Sequence, residues 1–220
     1  ALAPAPIVLR AVTVTPSRFA IMGAEAQTRQ TLTEEQIQTI PHFGEDIYRA
    51  VTRLPGISGS DYSARFTVRG GEHDEVLVLL DGVQLYEPFH LRDIDGGALS
   101  TVDVEAIQSI DLLTGGFAAE YGDRTSGVFN IRSRSPGACQ RRHSLGLSFM
   151  NARAMSEGTF ERGSWLVTAR RGYLDMVLWL MRKDEDVSPR YYDVLAKVEY
   201  ELSGRHRLSA HALHAGDSLD

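Results

Sequence analysis

The 220 residues are 43% hydrophobic and 24% charged, with a net charge of −6, a balance that suits one ordinary globular domain or two small ones and excludes disorder. The longest apolar runs, Val76–Leu80 and Met176–Met181, fall far short of the roughly 18 residues of a membrane-crossing helix, which excludes that structure. The single cysteine, Cys139, forms no internal disulfide and stands in no zinc-binding spacing. Residues Ala1–Ile7 lack the charged start and apolar core of a signal peptide, so the sequence reads as starting after a cleavage or at a boundary. Charge is split along the chain. Residues 1–131 carry 18 acidic side chains against nine arginines, whereas residues 132–220 carry 11 acidic against 14 basic. The basic excess is modest and scattered, so no nucleic-acid footprint is expected.

Residues 1–30 open Pro- and Ala-rich and then alternate at Ala11-Val12-Thr13-Val14-Thr15, closed by Pro16. This reads either as an extended segment open to strand addition or as a disordered tail. Thr33 and Gln36 have capping-box spacing, and Leu32 and Ile37 that of a hydrophobic staple, so a short helix is expected up to Pro41. A second helix places Ile47, Ala50, Val51 and Leu54 on one face and stops at Pro55-Gly56. The period then changes to two. Strands are expected around Arg65–Arg69, at Val76–Leu80, through an Asp81-Gly82 turn into Val83–Leu85, and near Val128–Arg132. Ile107, Ile110 and Leu112 lead into Gly115-Gly116, and Tyr86–Gly97 is a charged, ring-bearing loop. Residues 31–136 thus form a small α+β domain.

Residues 137–220 change character again. Candidate strands are His143–Ala152, Ser164–Val177, Tyr191–Leu202 and Arg207–Ala215, with a tight turn at Ser203–His206 and a longer polar loop at Met181–Arg190. Val194, Ala196, Val198, Tyr200 and Leu202 face one way, while Lys197, Glu199 and Glu201 face the other. Strands of this length, with short and long connections in turn, suit a transmembrane β-barrel or a soluble β-sandwich.

Six segments within Ala50–Arg134 carry a resemblance. They are Leu54-Pro55-Gly56-Ile57, Phe66-Thr67-Val68-Arg69-Gly70-Gly71, Val78-Leu79-Leu80-Asp81-Gly82-Val83, Val104–Ile110, Glu120-Tyr121-Gly122 and Ser126–Ile131. In this order they resemble the plug domain of TonB-dependent outer-membrane receptors. The resemblance implies a plug followed by the first strands, about four, of an incomplete transmembrane β-barrel, in the outer membrane with the plug reachable from the periplasm. It further implies binding of an extracellular ligand such as a metal chelate or glycan, with import driven by TonB, the inner-membrane energy transducer. By this resemblance Ala11, Val12, Thr13, Val14 and Thr15 stand where the family carries its TonB box. Ser58, Asp61, Tyr62, Tyr86, Phe89, His90, Arg92 and Asp93 fall on its ligand-facing loops. Arg69, with Glu120 and Arg124, would latch plug to barrel, with Glu199 and Glu201 as partners of Arg69. Thr114-Gly115-Gly116 departs from the Arg-Gly-Pro often found there. Outer-membrane lipid is the remaining expected partner.

Catalysis has little support. His73-Asp74-Glu75 and His90-x-x-Asp93-x-Asp95 offer metal-binding atoms, but nothing fixes three ligands and a base together. His211 and His214 fall on opposite faces of a strand, which prevents a shared metal. No GxGxxG, P-loop, GxSxG or HExxH motif occurs, so neither a cofactor nor a catalytic residue is expected. The alternative from another class is a secreted soluble α+β/β-sandwich module that recognises glycans or surfaces.

Overall fold

A computed structural model describes residues 29–40, 46–60, 63–92, 97–122, 124–137, 141–173 and 189–219. The capping box forms as the spacing requires: Gln36 N donates to Thr33 Oγ1, and Thr33 N donates to Gln36 Oε1. It starts helix α1 (Glu34–Thr39), and the staple residues Leu32 and Ile37 are both buried. Helix α2 (Ile47–Val51) begins at Asp46, whose Oδ1 accepts from the amides of Tyr48 and Arg49. Its Oδ2 accepts from Ser100 N. Burial pushes the Asp46 carboxyl above its usual range despite these donors.

The N-terminal domain is built on a five-stranded sheet. Its strands are β1 (Arg29–Thr33), β4 (Val76–Leu80), β5 (Val83–Gln84), β8 (Ile107–Leu113) and β9 (Gly127–Ser133), in the order β1-β8-β9-β4-β5. Only the β4–β9 pair is parallel. Two small ribbons, β2 (Ile57–Gly59) with β3 (Phe66–Val68) and β6 (Phe89–His90) with β7 (Leu99–Ser100), lie outside the sheet. Asp81 and Gly82 have φ of 50° and 85°, so the tight turn joining β4 to β5 uses left-handed backbone at both positions. Tyr48 supplies the centre of the core, with Phe66, Phe89 and Phe129 packed around its ring at centroid distances of 5.1–5.5 Å.

Residues 141–219 form an antiparallel meander: β10 (Arg142–Leu147), β11 (Asn151–Phe160), β12 (Gly163–Gly172), β13 (Pro189–Ser203) and β14 (His206–Leu219). This is five strands where the sequence pattern gives about four. The expected strand His143–Ala152 is broken by a turn whose Ser148 Oγ accepts from the amides of Met150 and Asn151, and β11 follows it. The sheet is inside out. Its buried face carries Asn151, Arg153, Glu157, Thr168, Arg170, Asp193 and Lys197. Its other face leaves Leu145, Val167, Tyr192, Val194, Val198 and Leu208 exposed. In water this pattern forfeits apolar burial, whereas a sheet with lipid on one side and a filled lumen on the other requires it. The soluble sandwich is therefore not favoured. No helix among the described residues is long and apolar enough to cross a membrane.

Candidate functional site

Strand pairing sorts the inward side chains of β11 to β14 into rows. Arg153, Arg170, Asp193 and Ala215 form one row. Met155, Thr168, Leu195 and Leu213 form the next, followed by Glu157, Leu166, Lys197 and His211. Two charged rows therefore enclose a largely apolar one. The N-terminal domain docks on all three.

In the first charged row, Arg170 Nε donates to Asp193 Oδ2 at 2.8 Å, and its Nη2 reaches the Ser100 carbonyl at 2.5 Å. His90 Nε2 lies 3.3 Å from the same Asp193 oxygen. Arg153 Nη1 approaches Asp103 at 3.6 Å and Glu105 at 3.7 Å. Burial pushes the Asp103 carboxyl up to about 6, against the pull of Arg170. Just beyond this row, Leu91 N donates to Asp217 Oδ2, with Leu91 in the left-handed region at φ 53°. In the middle row, Met155 and Leu195 belong to the same buried cluster as the core of the N-terminal domain, and Leu213 packs against it.

The second charged row is set by three side chains of the N-terminal domain. Asp81 holds Ser133 N at 2.9 Å and meets His211 Nδ1 at 3.2 Å and Lys197 Nζ at 3.8 Å. Lys197 also donates to Ser135 Oγ at 3.0 Å. Arg134 binds Glu157 with two parallel hydrogen bonds of 3.0 Å and also pairs with Glu34.

A chain that buries the charges of an antiparallel sheet against a separate α+β domain, and turns its apolar face outward, has the arrangement of a plug seated against part of a barrel wall. The comparisons agree. Residues 24–128 match the family model described as the TonB-dependent receptor plug domain. Residues 24–128 are a TonB-dependent receptor plug domain. A relative in Acinetobacter baumannii, described as a probable TonB-dependent siderophore receptor, PirA, is 32% identical over 128 residues, which is 49% of this chain and 17% of that protein. The ferric enterobactin receptor PfeA of Pseudomonas aeruginosa superposes with a TM-score of 0.61 at 17% identity, over 90% of this chain and 34% of that one. The outer membrane transporter YddB of Escherichia coli gives 0.61 at 13% identity, over 87% and 33%. The chain thus spans about a third of the solved structures it matches, and its place is the outer membrane.

Within the receptor, the plug-loop residues expected from sequence are partly gathered together. Ala64 N and Ser63 Oγ both donate to the Gly97 carbonyl, which ties the loop after β2 to the loop after β6. Their described residues lie at the end of the wall where Leu91 N meets Asp217, which pairs with Tyr191 near the start of β13. Tyr86, Phe89 and Arg92 line one cleft of about 290 Å³, together with Arg65, Arg124 and His73. Ser58 is exposed on β2, outside this lining. His90, by contrast, is buried to 1% and turned to the wall, so it belongs to the seam. Asp61, Tyr62, Asp93 and the box-like Ala11–Thr15 lie outside the described residues. Among the described residues, no three His, Cys, Asp or Glu side chains group to hold a metal ion.

Arg69, the expected latch, directly follows β3. Its amide donates to the Gly56 carbonyl, and its guanidinium lies against Gly115, beside the end of β8. Glu199 is engaged on its own sheet by Lys197 and Ser164. Glu120 stands exposed on a 3-10 turn, and Arg124 faces the cleft. Among the described residues, the plug carboxylates Asp81, Asp103 and Glu105 meet wall cations, whereas Arg134 with Glu157 and His90 with Asp193 run the other way. The sequence signal for these residues is present in β13, where Asp193 and Lys197 share one parity with Tyr191 and Leu195 within a run that is otherwise apolar from Tyr191 to Val198.

Proposed function

We propose that these residues form the ligand-gated closure of an outer-membrane importer, released by TonB. One observation carries the reading: the wall buries its charges against the plug, so the plug fills the lumen and has to rearrange for a solute to pass. The ligand would settle on Ser58, Asp61 and Tyr62 together with Tyr86, Phe89, Arg92 and Asp93, above His90. The relatives named as siderophore receptors support an iron chelate as its chemistry, and the rings and arginines of the cleft suit anionic aromatic donors. Ala11–Thr15 would be taken by TonB as an added strand, a mode that resists pulling along the backbone. Arg69, Glu120 and Arg124 would steady the plug during release. No bond is made or broken.

The test is uptake of a labelled ferric siderophore by cells that carry the complete receptor. Changing Val12 and Val14 to proline removes one amide donor at each position and should abolish uptake while leaving surface binding intact. Unchanged uptake in that variant would remove the box from the proposal. Tyr86→Ala with Arg92→Ala should weaken binding about tenfold through lost stacking and charge; unaltered affinity would move the ligand elsewhere.

A further inference from the structure

Away from the seam, charge and rings are arranged with most order on the outer face of the wall, at the end of its two-residue turns. Phe160 lies between Trp165 and Tyr200, with centroid distances of 6.4 and 6.2 Å and interplanar angles of 18° on both sides. Arg141 covers the Trp165 ring at 5.8 Å, and Arg162 covers the Tyr200 ring at 5.7 Å. Five groups thus stand near one another in the order cation, indole, phenyl, phenol, cation. Arg162 is further held by a 2.6 Å hydrogen bond from Nη2 to the Leu202 carbonyl. Val198, Leu202 and Leu208 are exposed on the same face.

Rings with one wet edge collect where hydrocarbon gives way to headgroups. Guanidinium groups stacked there have already lost much of their freedom, and their planar forks match phosphate oxygens. Arg205 and Arg207 add positive charge at the neighbouring turn, against Glu161 and Glu201. We propose that this row binds the headgroup of an anionic phospholipid of the periplasmic leaflet. Its phosphate would be held by Arg162 at one end of the row, Arg141 would add its charge at the other, and its acyl chains would lie along Phe160, Trp165 and Val198. A zwitterionic headgroup would bring an ammonium to the same cations and be disfavoured. The inference rests on the outer-membrane reading above.

The experiment uses the complete receptor, delipidated in neutral detergent and mixed with palmitoyl-oleoyl phosphatidylglycerol or the matching phosphatidylcholine. Retained lipid is counted by native mass spectrometry. The wild-type protein should prefer phosphatidylglycerol about tenfold, as two interfacial cations imply. The double variant Arg141→Gln with Arg162→Gln should lose most of that preference, and Arg141→Lys with Arg162→Lys should keep part of it. Equal retention of both lipids by the wild type, or an undiminished preference in the glutamine variant, overturns the proposal. Displacement by millimolar inorganic phosphate would reassign the site to a free anion. Failure to retain either lipid would instead count against the membrane reading itself. Should the glutamine variant not fold, the wild-type comparison still decides.

Discussion

At Asp193 a carboxylate buried to 1% is shared by Arg170 of the wall and His90 of the plug. Removing one member of such a group leaves an uncompensated charge out of water. Arg170→Met should therefore cost about 3–5 kcal/mol, read as a lower denaturation midpoint of the complete receptor, and adding Asp193→Leu should recover most of the loss. Asp103 behaves differently, because burial lifts its carboxyl from 3.8 to about 6. Its contribution to stability is fully present below pH 4 and is lost as pH rises through 6, since the native state must then hold a charge that the unfolded chain accommodates in water. The lost amount is about 3 kcal/mol. Asp103→Asn should flatten this fall while keeping the hydrogen bond from Glu105 N, and denaturation midpoints measured between pH 4 and 7 would show it.

Elements governed by close neighbours along the chain are legible in the sequence itself. The capping box at Thr33 and the turn at Asp81-Gly82 depend on residues one to three apart, and both are present. Gly82→Val should destabilise the plug by about 1–2 kcal/mol, because a β-branched residue must adopt φ 85° there; the unfolding midpoint against Gly82→Asn measures it. Strand β11 escapes the same reading. Its inward residues are Asn151, Arg153, Met155 and Glu157, and its outward ones before Phe160 are small, so no apolar alternation marks it. Strand β13 is legible because Val194, Ala196 and Val198 mark its lipid side. The seam is the least legible part, since His90 and Asp193 lie 103 residues apart and no local spacing joins them.

The whole wall is an open sheet, ending at β10 and β14. Edge amides left without partners in lipid cost several kcal/mol each, so residues 1–220 produced alone should not yield a heat-resistant band on a gel, whereas the complete receptor should. Val194→Arg, on the outward face, should cost about 2–4 kcal/mol when placed near mid-depth; its equilibrium folding into vesicles would report the penalty.

The apolar row of Met155, Leu195 and Leu213 has a mechanical consequence. Charged neighbours on either side of it, Arg153 and Glu157 on one strand and Asp193 and Lys197 on another, are four residues apart, about 13 Å along the strand. A plug that slid by half this distance would carry Asp81 or Asp103 onto methyl groups and away from the wall cations Lys197 and Arg153. Translation is therefore opposed by a detent, and if TonB pulls on the N-terminus as proposed above, peeling β1 from β8 would meet less resistance than sliding the plug as a body.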